Sequence, residues 1–204
     1  ASSPARPLGS TGLRVLAVAP SIRFGARLVY RALITPGSSG GTVLFAQDGV
    51  VLPGCAHAKV LAGKASCALI PTSAQRHVIL ATFTGSRVLS GAEGSLAVLI
   101  ARAPTSFHVF TTPTAVLPRA ALTLWAWHLP GHATGKVVFD SGLVRLCVAG
   151  VRDGGASCAT AVRLAPGPHV VTARYVGDKD YLGSLATTSF RVLVAQPPPT
   201  SAPR

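Results

Sequence analysis

The residues able to do chemistry in this chain are few, and their spacing limits what they can do. Cysteines stand at positions 55, 67, 147 and 158, in two successive pairs. The members of a pair are about a dozen residues apart, and no Cys-x-x-Cys occurs, so structural disulfides are preferred over zinc. Four cysteines still allow three connectivities. The six acids are Asp48, Glu93, Asp140, Asp153, Asp178 and Asp180. Glycoside hydrolysis needs two carboxylates across one cleft, and nothing in this spacing pairs any two that way. Asp178 and Asp180 could touch a calcium ion, but two carboxylates in a chain of net charge +13 make a poor site. Capping a turn is their simpler role. His128 and His132 flank a Leu129-Pro130-Gly131 turn, not a helical face. No nucleophile elbow, phosphate loop or dinucleotide fingerprint occurs. The expectation is a protein without catalytic residues, cofactor or metal.

The charge is lopsided and sparse. Lys and Arg number 19 against 6 acids, yet charged residues make up only 12%, about half the usual share of roughly 25%. Mean hydropathy is +0.46. No uncharged run of about 18 apolar residues occurs, so no transmembrane helix accounts for it. Something else must cover that surface. The basic residues are mostly Arg and are scattered, which argues against nucleic acid and leaves anionic cell-surface polymers as a possible partner. The chain has no Met, and Ala1 reads as the first residue after removal of a secretion signal.

The elements that hold these residues come in duplicate. Gly41-Thr42-Val43-Leu44-Phe45 recurs as Gly135-Lys136-Val137-Val138-Phe139, and Ala65-Ser66-Cys67 as Ala156-Ser157-Cys158. His77-Val78-Ile79-Leu80-Ala81-Thr82-Phe83 recurs as His169-Val170-Val171-Thr172-Ala173-Arg174-Tyr175. The blocks keep one order at a period of about 92 residues. Cys55 corresponds to Cys147 and Cys67 to Cys158, so the natural pairs are Cys55–Cys67 and Cys147–Cys158. Strands are expected near 13–18, 28–34, 42–46, 57–61, 65–69, 76–84 and 95–101, then near 107–111, 121–128, 136–139, 143–149, 156–163, 168–176 and 187–195. Seven short strands per unit predict an all-β chain of two tandem immunoglobulin-like sandwiches with one disulfide each. The divisions are an extended segment 1–10, domains 11–103 and 104–196, and a Pro-rich tail 197–204.

Val170-Val171-Thr172-Ala173-Arg174-Tyr175-Val176-Gly177-Asp178-Lys179-Asp180-Tyr181-Leu182-Gly183-Ser184 resembles the Ala-x-Tyr-x-Gly-Asp-x-x-Tyr-x-x-Ser signature of bacterial immunoglobulin-like repeats. The first unit keeps Ala81, Phe83 and Gly85 but has Ser86 at the Asp position. The resemblance implies a secreted or cell-surface protein used as spacer, adhesive module or assembly unit. It brings no catalytic residues.

The signature also sets the faces. With Ala81, Phe83, Ala173 and Tyr175 inside, alternation puts Ile79 and Val171 inside and Val78 and Leu80 outside. With Arg31 as an outward marker, Leu28, Tyr30, Ala32 and Ile34 point in. The aligned Leu122, Leu124, Ala126 and His128 then point in as well. Val29, Leu33, Trp125 and Trp127 are left outside. A slip of one residue would bury both indoles instead. The leading expectation is an extracellular structural protein that self-assembles into a filament or layer through Trp125, Trp127, Val29, Leu33, Val78 and Leu80. An adhesin or carbohydrate-binding module using Trp125 and Trp127, and a passive spacer, are the alternatives.

Overall fold

A computed structural model describes residues 8–19, 22–37 and 40–195. The chain divides into two compact units, 1–103 and 104–204. In the first, β1 (Gly12–Val18), β2 (Leu28–Thr35), β3 (Thr42–Gln47), β4 (Val50–Val51), β5 (Ala58–Lys59), β6 (Lys64–Leu69), β7 (Arg76–Phe83) and β8 (Ala92–Leu99) follow in order. One sheet runs β1-β2-β6 and the other β4-β3-β7-β8, with β5 beside β3. The second unit has β9 (His108–Thr112), β10 (Ala115–Val116), β11 (Ala121–Trp127), β12 (Lys136–Ser141), β13 (Val144–Gly150), β14 (Ala156–Ala161), β15 (Gly167–Tyr175) and β16 (Ser184–Val192). Its sheets run β9-β11-β14 and β10-β16-β15-β12-β13. Both units are immunoglobulin-like sandwiches, and the described residues form no helix.

Alternation builds each core. In β2, Leu28, Tyr30, Ala32 and Ile34 are buried, and in β7 His77, Ile79, Ala81 and Phe83 are. The β2 side chains share one core with Ile79, Ala81, Phe83, Val43, Phe45 and Val98 of the facing sheet. Leu122, Leu124, Phe139, Val171 and Tyr175 fill the second core. Each large side chain so buried contributes roughly 1.5–3 kcal/mol.

The disulfides join Cys55 to Cys67 and Cys147 to Cys158, with Cα–Cα distances of 5.5 and 6.4 Å. Cys147 lies in edge strand β13 and Cys158 in edge strand β14, which belong to different sheets. Cys55 likewise follows edge strand β4 and bonds into edge strand β6. Each bond therefore laces one sheet to the other at their open side.

The turn after the long central strand is capped in both units. Asp178 Oδ1 accepts from the N–H groups of Asp180 and Tyr181, both at 2.8 Å. Its Oδ2 accepts from Thr134 N at 2.7 Å and Thr134 Oγ1 at 3.0 Å. Ser86 does the first half of this work. Its Oγ accepts from Val88 N at 3.3 Å and Leu89 N at 3.1 Å. Glycine is required beside both turns. A Cβ on Gly135 would stand 2.8 Å from Gly177 O, and one on Gly41 would stand 2.2 Å from Gly85 O.

Several expected strands differ. The segment 57–61 pairs over only Ala58–Lys59, because an Asp48-Gly49 turn, with φ of 51° and 84°, folds Val50–Val51 back on β3 first. The last strands begin earlier than expected, at Ala92 and Ser184, where small and polar residues hide the pattern. The two-residue β10 pairs parallel with β16 and is too short to read from alternation. His128 does not point inward. It leaves the strand with φ of 70° and is exposed. In the expected segment 1–10, Gly9 bridges Leu89 of its own unit. Residues 1–7 of that segment, and residues 196–204 with the Pro-rich tail, lie outside the described residues.

Candidate functional site

Register alone brings the aromatic residues together. In β9-β11-β14, Trp127 stands opposite His108, Trp125 between Phe110 and Ser157, and Thr123 between Thr112 and Ala159. Residues directly opposite share a face. Leu122, Leu124 and Ala126 are buried at 0–1% exposure, so these rows face outward. Trp125 is 38% exposed, Trp127 54% and Phe110 46%. The indoles are outside, and the one-residue slip is excluded.

The face has relief. The Phe110 and Trp125 rings are parallel within 9°, with centroids 6.0 Å apart. A depression of about 490 Å³ is lined by Phe110, Thr112, Thr123, Trp125 and Trp127. A second, of about 380 Å³, lies against Trp125 and Trp127 with Gly150, Arg152, Gly155 and Ser157. The two indoles line both depressions. No outward position on β9, β11 or β14 carries a carboxylate. The surface is therefore apolar with hydroxyls beside it, and Arg152 lines the second depression. It can stack on a flat or ring-shaped ligand and exchange hydrogen bonds at its margins.

Sequence reasoning found the tryptophans and missed Phe110, Ser157 and Arg152. Phe110 was findable. Phe107 and Phe110 are three apart in one extended segment, so they face opposite ways, and Phe107 is buried. Ser157 and Arg152 needed the strand register. The other expected contact residues lie elsewhere. Val29 and Leu33 are half-buried in β2, between Val18 and Ala68 and between Arg14 and Lys64. Val78 and Leu80 are 52% and 37% exposed on the outside of β7.

One cluster has the residue types of a hydrolase. His77 Nδ1 lies 2.6 Å from Asp48 Oδ2, and its Nε2 lies 3.3 Å from Ser73 Oγ. Yet His77 is 2% exposed, and a general base must reach the leaving group as well as the nucleophile. The cluster acts as a clamp. Asp48 also accepts from Val78 N at 2.8 Å, pinning the β3–β4 turn to β7. The His77 hydrogen bond, then that of Val78, holds the Asp48 carboxyl below its ordinary range. Among the described residues, no group of three His, Cys, Asp or Glu side chains could hold a metal ion.

No family model and no curated protein matches this sequence. Solved structures with similar folds include the Yersinia pseudotuberculosis adhesin InvE, at 13% identity and TM-score 0.49, covering 90% of this chain and 59% of that one. The Escherichia coli adhesin FdeC is similar at 14% identity and TM-score 0.37, covering 90% and 64%. Fibronectin(III)-like modules of Clostridium thermocellum CbhA are similar at 12% identity and TM-score 0.33, covering 88% and 94%. This chain thus spans 59% of the length of InvE. At such identities the likeness concerns fold and names no ligand.

Proposed function

We propose that this chain is a contact module of an exported surface protein, and that the outer aromatic face of its second unit binds a neutral polysaccharide. The two disulfides support an oxidising, extracytoplasmic setting. The observation that carries the ligand class is the pair of depressions around Trp125 and Trp127 on a sheet face whose strands present no carboxylate. The three exposed rings present roughly 300 Å² of surface, given that such side chains carry about 150–250 Å² each. A stable protein interface needs about 800 Å² from each partner. Rings of this combined area match the faces of a few sugar rings, and a protein partner would have to bury surface well beyond them. The hydroxyls of Thr112, Thr123 and Ser157 supply edge hydrogen bonds. Pull-down on insoluble cellulose and chitin tests this. Wild type is expected to be retained on at least one, and Trp127→Ala to lose at least tenfold in affinity. Retention on neither, or equal retention of both proteins, would refute it.

A second reading, self-assembly, draws on the first unit. Val51, Val78, Leu80 and Leu99 lie exposed on the outer side of one sheet. Cross-strand pairing places Ala46 beside Val51 and Leu80, and Ala97 beside Val78. Copies carrying +13 repel one another, so a contact between them favours the uncharged stretch that lies between Arg76, opposite Leu99, and Glu93, opposite Thr82.

A further inference from the structure

The opposite sheet of the first unit has a different character. Across β1-β2-β6, Arg14, Leu33 and Lys64 form one row and Leu16, Arg31 and Ser66 the next. Val15, Tyr30, Ala32, Ala65 and Cys67, on the alternate positions, are buried, so these rows face outward. Strand spacing and rise place the backbones of Arg14, Arg31 and Lys64 roughly 8–10 Å apart. The unit has two acids, and both belong to the other sheet. Asp48 is held by His77 and Val78, and Glu93 accepts from Thr82 Oγ1 at 3.2 Å. None of the ion pairs among the described residues includes Arg14, Arg31 or Lys64.

We propose that this face binds an acidic polysaccharide, independently of the aromatic face of the second unit. Three cations fixed on a rigid sheet without counter-charges repel one another, and a polyanion relieves that repulsion. Their spacing suits acidic groups on separate sugars of one chain. Leu16 and Leu33 stand between the cations and offer contact to the C–H faces of the sugar rings. Nucleic acid is disfavoured because these rows carry no aromatic side chain for bases to stack on. A bilayer is disfavoured because the interleaved Leu16, Val29 and Leu33 are half-buried and do not project to insert.

The test uses the whole chain and polygalacturonate as probe, with double-stranded DNA and phosphatidylglycerol vesicles as competitors. Wild type is expected to bind polygalacturonate. The variant Arg14→Gln/Arg31→Gln/Lys64→Gln should lose at least tenfold in affinity, with a salt dependence shallower by two to three charges' worth. A variant of equal net charge, Arg76→Gln/Arg163→Gln/Arg191→Gln, should stay within about threefold of wild type. Equal losses in the two variants would overturn the proposal, as would absence of wild-type binding. So would tighter binding of DNA or vesicles through the same three cations. If circular dichroism shows the first variant unfolded, Arg14→Gln alone, exposed on an edge strand, is read instead. It should lose about threefold, and no loss would overturn the proposal.

Discussion

Asp178→Ala removes a carboxylate on which backbone and hydroxyl donors of the second unit converge. Its carboxylate accepts four, at 2.7, 3.0, 2.8 and 2.8 Å. Hydrogen bonds to a charged group are each worth about 1.5–3 kcal/mol, but this group is half-buried and water replaces part of each. A net loss of about 2–3 kcal/mol follows, or about 10–20 °C in Tm for a unit of this size. Both tryptophans of the chain lie in this unit, so thermal unfolding followed by indole fluorescence reports it alone. Burial pushes the Asp178 carboxyl up, but the hydrogen bonds from Thr134, Asp180 and Tyr181 outweigh that and leave it below its ordinary value. A depressed carboxyl gives stability that is present above its unfolded value, near 3.9, and is lost as pH falls through the lower folded one. The gap between wild type and variant should be full at pH 7 and narrow well below pH 4. In the first unit Ser86→Ala breaks two neutral bonds and should cost about 1 kcal/mol. A Tm change under about 3 °C for Asp178→Ala, or a gap that widens in acid, would refute this account.

Other outcomes follow from burial and exposure. Cys55 and Cys67 are buried at 5% and 1%, whereas Cys147 and Cys158 are half-buried. Mild dithiothreitol should therefore open the second disulfide first, as timed alkylation and peptide mass mapping would read, and each bond lost should cost about 3 kcal/mol. If the first unit mediates self-contact, Val78→Thr/Leu80→Thr should reduce the mass seen by light scattering at high concentration without altering retention on cellulose or chitin.

Much of the fold was legible because its cues are local and repeated. Alternation in 28–34 and 76–83, anchored by Arg31 and by the motif around Tyr175 and Asp178, placed the core residues and set both tryptophans outside. The short pieces were not legible. Two-residue strands such as Val50–Val51 carry no periodicity, and their place depends on the Asp48-Gly49 turn. His128 was assigned by extending alternation one residue past the strand, where a positive φ ends it. The site was only half legible. Two exposed indoles announce themselves in a strand, but the groove exists because antiparallel register sets Phe110 and Ser157 on either side of Trp125. The Ser86 cap was missed because a hydroxyl can replace the near half of a carboxylate's bonds, which no residue-by-residue match to the motif reveals.

The most direct test of the aromatic face is a titration of indole fluorescence with soluble cellohexaose and chitohexaose, since Trp125 and Trp127 are the only tryptophans and both line the groove. A saturable shift, abolished in Phe110→Ala/Trp125→Phe and unaffected by pairing polyanion with the other unit, is predicted. A flat titration with both oligosaccharides in the folded protein would contradict it.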